Sequence, residues 1–244
     1  MTRSAKTFLL ILFLSVATGA ALAQSTASTG RDSRPEVPLS PVAEVRQNKS
    51  LEWGPFGFYG NGIGGDRSDY RFFAIGVQAS KPLTRVLHAG ILSGQFELAA
   101  NIMPLWQAYT PPPHVQEFVY QGVTYHLPIG GGTYTGVSIT PVIFRWNVLT
   151  RAQRWQPWFQ GAGGIIYTTH KFPPDVLVPH GVPGGTSVWN FSPQGGVGVH
   201  YFTRSRRSVD LGVNAVHISS ASLGDHNPGV NASIQFQLGY TFWR

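Results

Sequence analysis

The stretch SIQFQLGYTFW, Ser233 to Trp243, decides the fold. Ile234, Phe236, Leu238, Tyr240 and Phe242 fall on one parity, and Gln235, Gln237, Gly239 and Thr241 on the other. Side chains alternate across a strand, so such a segment has one apolar face and one small or polar face. The same division runs through 91–105, where Phe96, Leu98, Ala100 and Ile102 oppose Glu97, Ala99, Asn101 and Met103. It runs through 70–81, where Phe73, Ile75, Val77 and Ala79 oppose Ala74, Gly76, Gln78 and Ser80. A soluble sandwich turns large apolar residues inward and charges outward. Here the second face is small and mostly uncharged, which fits a narrow barrel with lipid outside and small or polar groups inside.

Eight segments have about the 9–11 residues that a tilted membrane strand needs. They lie near 51–61, 70–81, 91–105, 133–146, 156–168, 187–202, 208–220 and 233–243. The expected fold is all-β, an eight-stranded antiparallel transmembrane outer-membrane barrel spanning 51–244. With the first strand running outward, outer loops fall near 62–69, 106–132, 169–186 and 221–232. The shorter inner turns fall near 82–90, 147–155 and 203–207. Trp106, Tyr109, Tyr167, Tyr201 and Trp243 lie near strand ends, where aromatic girdles form.

Composition agrees. Of the 244 residues 42% are hydrophobic and only 12% charged, with 29 glycines, 18 prolines and 13% aromatics. Charge is about half of what a soluble domain carries. The formal net charge of +7 permits nucleic acid or anionic lipid as partner, but no basic helix or RNA-binding motif accompanies it. There is no cysteine, which excludes disulfides, a thiol nucleophile and cysteine-based metal sites.

The N-terminus predicts export. Arg3 and Lys6 precede an apolar run from Phe8 to Val16, and Ala21-Leu22-Ala23 has the form of a signal-peptidase site. Residues 1–23 are therefore expected to be a signal peptide and 24–50 a flexible polar leader or loosely docked arm. Export makes nucleic acid an unsuitable partner.

The chemistry lies between the last two strands, in VHISSASLGDHNPGVNA, Val216 to Ala232. Val209, Leu211, Val213, Ala215, His217 and Ser219 share the apolar parity. His217 and Ser219 thus continue a lipid-facing stripe at the strand's outer end. Polar groups against hydrocarbon cost free energy unless paired. A histidine that titrates near neutral pH can take the proton of a neighbouring serine and activate it for ester cleavage. Histidine and serine are also ordinary interface residues, and the spacing alone leaves both readings open.

His217-Ile218-Ser219-Ser220-Ala221, followed by Asn227-Pro228-Gly229, resembles the signature of the outer-membrane lipid A 3-O-deacylase (PagL-like) or acyloxyacyl hydrolase family. That pattern is H-x-S-N-[AG], then a loop with N-x-G and an acidic residue, then the last strand. The resemblance extends loosely to WNFSPQGGVGVHYF, Trp189 to Phe202. It implies an eight-stranded barrel and a serine–histidine hydrolase of lipid A, with Ser219 as nucleophile and His217 as general base. It also implies an oxyanion donor at Ser220, where the family has Asn, or a backbone N–H in its place. The third member, usually acidic, falls on Asn231, with Asp225 of the same loop as its substitute. An asparagine orients a histidine without supplying negative charge. No cofactor or metal is implied. The partner implied is lipid A or lipopolysaccharide in the outer leaflet, with a homodimer among the assemblies left open.

Other polar residues carry weaker signals. His114, His126, His170, His180 and His226 are scattered over outer loops without metal-ligand spacing. Arg67, Arg71 and Lys171 have the chemistry to meet lipid phosphates. Glu97 on an inward parity calls for a cation inside the barrel. The glycine runs at 62–65 and 130–132 lack the context of phosphate-binding loops. Two rival functions stand beside the deacylase: an outer-membrane phospholipase, and a non-catalytic scaffold, adhesin or narrow pore.

Overall fold

The computed structural model describes residues 39–64, 67–177, 185–227 and 231–244. The expected signal peptide lies outside them. Eight strands close a barrel: β1 (Glu52–Ile63), β2 (Arg71–Pro82), β3 (Gly94–Tyr109), β6 (Thr133–Val148), β7 (Trp155–Phe172), β8 (Ser187–Arg204), β9 (Arg207–His217) and β10 (Ala232–Trp243). Every neighbour is antiparallel, and β10 closes on β1 with Glu52 opposite Trp243. Closure removes both sheet edges, as a membrane-spanning sheet requires. Two of the three connections at the end that holds residues 51 and 244 are short, 149–154 and 205–206, and three of the four at the other end are long, 110–132, 173–186 and 218–231. That asymmetry makes the first end periplasmic.

The parity seen in the sequence becomes a wall. Ile75, Val77, Leu98, Ile102, Phe236 and Leu238 are exposed, while Ala74, Ala99, Ser233 and Gln235 on the opposite parity are buried. A continuous exposed apolar belt is stable only against lipid, so this is an outer-membrane barrel. Aromatic pairs in contact mark the rims: Trp53–Phe242, stacked, and Trp155–Tyr201, tilted, at one, and Tyr167–Trp189, tilted, at the other.

Two expected girdle residues point inward instead. Trp106 is buried because a register irregularity between Met103 and Trp106 inverts the alternation of β3. Trp243 has the inward parity of β10 and donates from Nε1 to Ser208 Oγ at 3.0 Å.

The interior is filled in two tiers. Near the periplasmic end, Arg145 Nη1 donates to Glu52 Oε1 at 2.9 Å and Glu97 Oε1 at 3.1 Å. Its Nε and Nη2 donate to Gln160 Oε1 at 3.2 and 3.0 Å. Asn147 Nδ2 donates to Glu97 Oε2 at 2.6 Å, and Gln78 Nε2 to Glu52 Oε1 at 3.2 Å. His200 Nδ1 and Asp210 Oδ1 lie 2.6 Å apart, and Ser208 and Thr241 also donate to Asp210. Glu97 thus has the interior cation its parity called for. Toward the outer end, Phe72, Trp106 and Tyr134 pack edge to face on Phe172, and Phe72 and Trp106 pack tilted, with ring centroids 5.1 to 6.4 Å apart. A barrel filled by ions below and aromatics above leaves no room for a wide pore.

Two further elements lie outside the wall. Within the expected polar leader, Pro41–Asn48 form a helix, α1. Ser40 caps it by accepting from Ala43 N at 3.3 Å, and a proline opens its first turn. Val42 and Val45 are buried against Phe202 and Trp243. Gln95 Nε2 donates to Arg46 O at 3.1 Å and Arg206 Nε pairs with Glu44 Oε1 at 3.0 Å, and with just two buried apolar residues in the helix, composition reads the segment as a leader. Within the loop after β3, β4 (His114–Tyr120) and β5 (Val123–Ile129) form a separate hairpin turned by Gln121 and Gly122, both at positive φ.

Candidate active site

β9 delivers His217 and Ser219 as its parity predicts. Val216 and Ile218 are buried inside the barrel, so residues 217 and 219 face out, and both are half-buried. Ser219 extends the strand past its last ladder pair: Phe191 N donates to Ser219 O at 2.8 Å, and Ser219 N to Phe191 O at 3.0 Å. The register of β9 on β10 sets His217 opposite Ala232. Among the described residues the His217 ring makes no hydrogen bond, to Ser219 or to any other group.

Ser219 Oγ instead accepts from two donors, Ala221 N and Asn227 Nδ2, each at 3.0 Å. Ala221 has φ 47°, a left-handed conformation that turns the chain back over the serine. Asn227 belongs to the quoted sequence pattern, yet nothing in the sequence shows that its amide folds back across eight positions onto Ser219.

Two expected site residues lie elsewhere. Asn231 follows the inward parity: its carbonyl accepts from Ile218 N at 2.8 Å, and its side chain is buried inside the barrel. One strand position separates it from the outward set, so the wall stands between it and His217. Ser220 is likewise buried, with Oγ donating to His226 O at 3.4 Å beneath the loop, away from Ser219. Asp225 is exposed and has no hydrogen-bond or ion-pair partner among the described residues.

Beneath His217, on the lipid side, lies a groove of about 360 Å³. Ala162, Pro193, Gly195, Ala215 and Ala232 line it, with His217 at its upper end. The paired Gly161 and Gly195 and the nearby Gly163 leave the wall thin here. A Cβ at Gly161 or Gly163 would meet nothing within 4 Å. The groove is therefore a depression made by missing side chains, open to hydrocarbon.

The remaining sequence candidates sort by place. Arg67, His114 and His226 line an extracellular cleft of about 800 Å³ together with Tyr70 and Asp175. His226 Nε2 lies 3.7 Å from Asp175 Oδ1. Arg71 donates to the carbonyls of Ser68 and Tyr70, His126 pairs with Glu117 at 3.0 Å on the hairpin, and the His170 ring lies 5.6 Å from Tyr134. His180 lies outside the described residues. No cluster of three or more potential metal ligands exists among the described residues.

Comparison with known proteins places this arrangement. Solved structures similar to this chain include the following three. The outer membrane enzyme PagL is 14% identical with TM-score 0.45, covering 78% of this chain and 98% of its own. Neisserial surface protein A is 11% identical with TM-score 0.45, covering 79% and 96%. The outer membrane protein OprG from Pseudomonas aeruginosa is 9% identical with TM-score 0.39, covering 80% and 96%. No curated protein matches this chain. The family model described as lipid A 3-O-deacylase (PagL) matches residues 94–241, from the start of β3 nearly to the end of β10. That match covers more than half of the sequence and includes every residue of the candidate site, so the chain belongs to the lipid A 3-O-deacylase family.

Proposed function

We propose that this outer-membrane protein is a serine esterase that removes the 3-O-linked hydroxyacyl chain from lipid A. The observation that carries the reading is the stacking of three features at one place on the wall. Ser219 and His217 face outward at the extracellular rim, and a lipid-open groove of small residues begins directly below His217. An acyl chain lying in that groove would present its ester at the level of the serine. The groove is almost wholly apolar, so it offers the chain an environment like the bilayer it leaves. Orientation is thereby gained at little desolvation cost.

In this reading His217 takes the Ser219 proton as Oγ attacks the acyl carbonyl, and later returns it to the departing sugar oxygen. Catalytic hydrogen bonds are often long before substrate binds, so the open His217–Ser219 geometry is compatible with that transfer. With Asn231 turned inward, the working unit is a dyad, and among the described residues His217 has no acidic partner.

Expression of the wild type and Ser219→Ala in a host outer membrane, followed by mass spectrometry of lipid A, tests this. Loss of one hydroxyacyl chain in the wild type alone is the expected result. Cleavage of phospholipid with lipid A intact would move the assignment to a phospholipase. Unchanged lipids in both would leave a non-catalytic barrel.

A further inference from the structure

The turn between β8 and β9 consists of Ser205 and Arg206, and its register sets Arg204 directly opposite Arg207. Like charges that face each other across antiparallel strands destabilise the pair. Among the described residues no carboxylate relieves this one. Glu44 is paired with Arg206 Nε at 3.0 Å, and Asp210 is buried inside the barrel with His200, Ser208 and Thr241. Arg154 stands beside the turn, its carbonyl accepting from Phe202 N at 2.8 Å. Arg204 and Arg207 are both exposed at the periplasmic rim. Arg207 is held on the lipid side, with its guanidinium carbon 5.1 Å from the centroid of the Phe242 ring, which stacks on Trp53.

A hollow opens in the wall directly above. Val209 and Tyr240 are paired two residues up from Arg207 and Phe242. With Leu238 and Phe236 they line an apolar groove of about 680 Å³ that continues across β1 to Phe73 and Ile75 of β2. Gly57 makes the hollow: it takes the outward parity between Leu238 and Ile75, both exposed, and has no side chain to fill the space.

We propose that this part of the wall binds one anionic phospholipid of the inner leaflet, with its phosphate between Arg204 and Arg207 and an acyl chain in the groove above them. Guanidinium groups hold phosphate oxygens through paired N–H donors, and an anion shared by two arginines converts their repulsion into attraction. The parts stand in the order a phospholipid needs: cations at the rim, aromatic rings beside them, an apolar hollow higher in the wall. Lipid A lies in the other leaflet, out of reach of these residues. The site does not depend on the chemistry of Ser219.

The test uses the full-length barrel folded into vesicles of phosphatidylcholine, with or without phosphatidylglycerol, at physiological ionic strength. Lipid retained after detergent extraction is read by native mass spectrometry, and stability by the urea midpoint. Arg204→Gln with Arg207→Gln removes the phosphate donors. Arg85→Gln with Arg151→Gln removes as many exposed charges from two other turns at the same end, where screening over about 8 Å isolates them from the site. Wild type is expected to retain phosphatidylglycerol over phosphatidylcholine and to gain midpoint when it is added, because a ligand of the folded state stabilises that state. The first variant should lower this preference at least about tenfold, and the second should keep it. In phosphatidylcholine alone the first variant should be as stable as wild type or more so, since the facing charges are gone. Lower stability there would make the two arginines structural and overturn the site. Equal loss of preference in both variants would reduce the effect to diffuse charge on the rim. A wild type that retains both lipids alike, or that covers this wall with a second copy of the chain and excludes lipid, would also overturn it.

Discussion

Arg145→Met is the substitution whose consequence follows most directly from the structure. The Arg145 side chain is 1% exposed and sits between two carboxylates, Glu52 at 1% and Glu97 at 0%. Its guanidinium also holds Gln160 and lies over the Trp158 ring, 4.7 Å from the centroid. Methionine fills much of the same volume but removes the guanidinium that the two carboxylates share. Removing one partner of a buried ion pair costs about 3–5 kcal/mol. At about 1.4 kcal/mol per decade, that lowers the folding equilibrium constant by roughly two to four powers of ten. The assay is reversible urea unfolding in phospholipid vesicles, read by tryptophan fluorescence. The triple substitution Glu52→Gln, Glu97→Gln, Arg145→Met removes all three charges and should recover most of the loss. Buried ion pairs replaced as a set are often neutral in stability, whereas broken pairs are not. A single variant within about 1 kcal/mol of wild type, or a triple variant no more stable than the single, would refute the assignment of Arg145 as the cation that holds the barrel's interior together.

Two further predictions read other features of the wall. Gly198→Ala should destabilise the barrel by about 1–3 kcal/mol, because the added Cβ would lie 2.3 Å from both the Leu211 carbonyl oxygen and Trp158 Cζ2; the urea midpoint in vesicles measures it. Gly195→Phe should leave that midpoint unchanged, since a Cβ there meets only Gln160 O at 3.7 Å, yet the ring would occupy the groove below His217. Release of the acyl chain from lipid A should fall at least about tenfold while a short water-soluble ester is cleaved as before, and equal loss on both substrates would argue against the groove as the acyl seat.

The site was only partly legible in advance, and the split follows the range of the interactions. His217 and Ser219 were visible because parity is local: two residues along a strand share a face wherever the strand lies. Asn231 was harder to place for the same reason, since position along a motif says nothing of face, and one step in register put its side chain on the inward parity. Asn227 was quoted as part of a pattern, but its contact with Ser219 depends on the left-handed turn at Ala221, a backbone state that alanine does not announce.

By itself the sequence determined the architecture. Eight apolar–polar alternations of membrane length, with large side chains on one parity and small ones on the other, have few solutions besides a closed barrel in lipid, because alternation has period two and every unpaired strand edge in hydrocarbon is costly. The tertiary structure alone decided which side chains meet. The irregularity in β3 turned Trp106 from girdle to plug, the register of β3 on β6 set Glu97 opposite Arg145 while the curvature of the barrel brought Glu52 of β1 to them across the interior, and the β9–β10 loop brought Asn227 onto Ser219. Those contacts depend on stagger, bulges and loop closure, which place atoms far apart in the chain within a hydrogen bond of each other, and no local pattern encodes them.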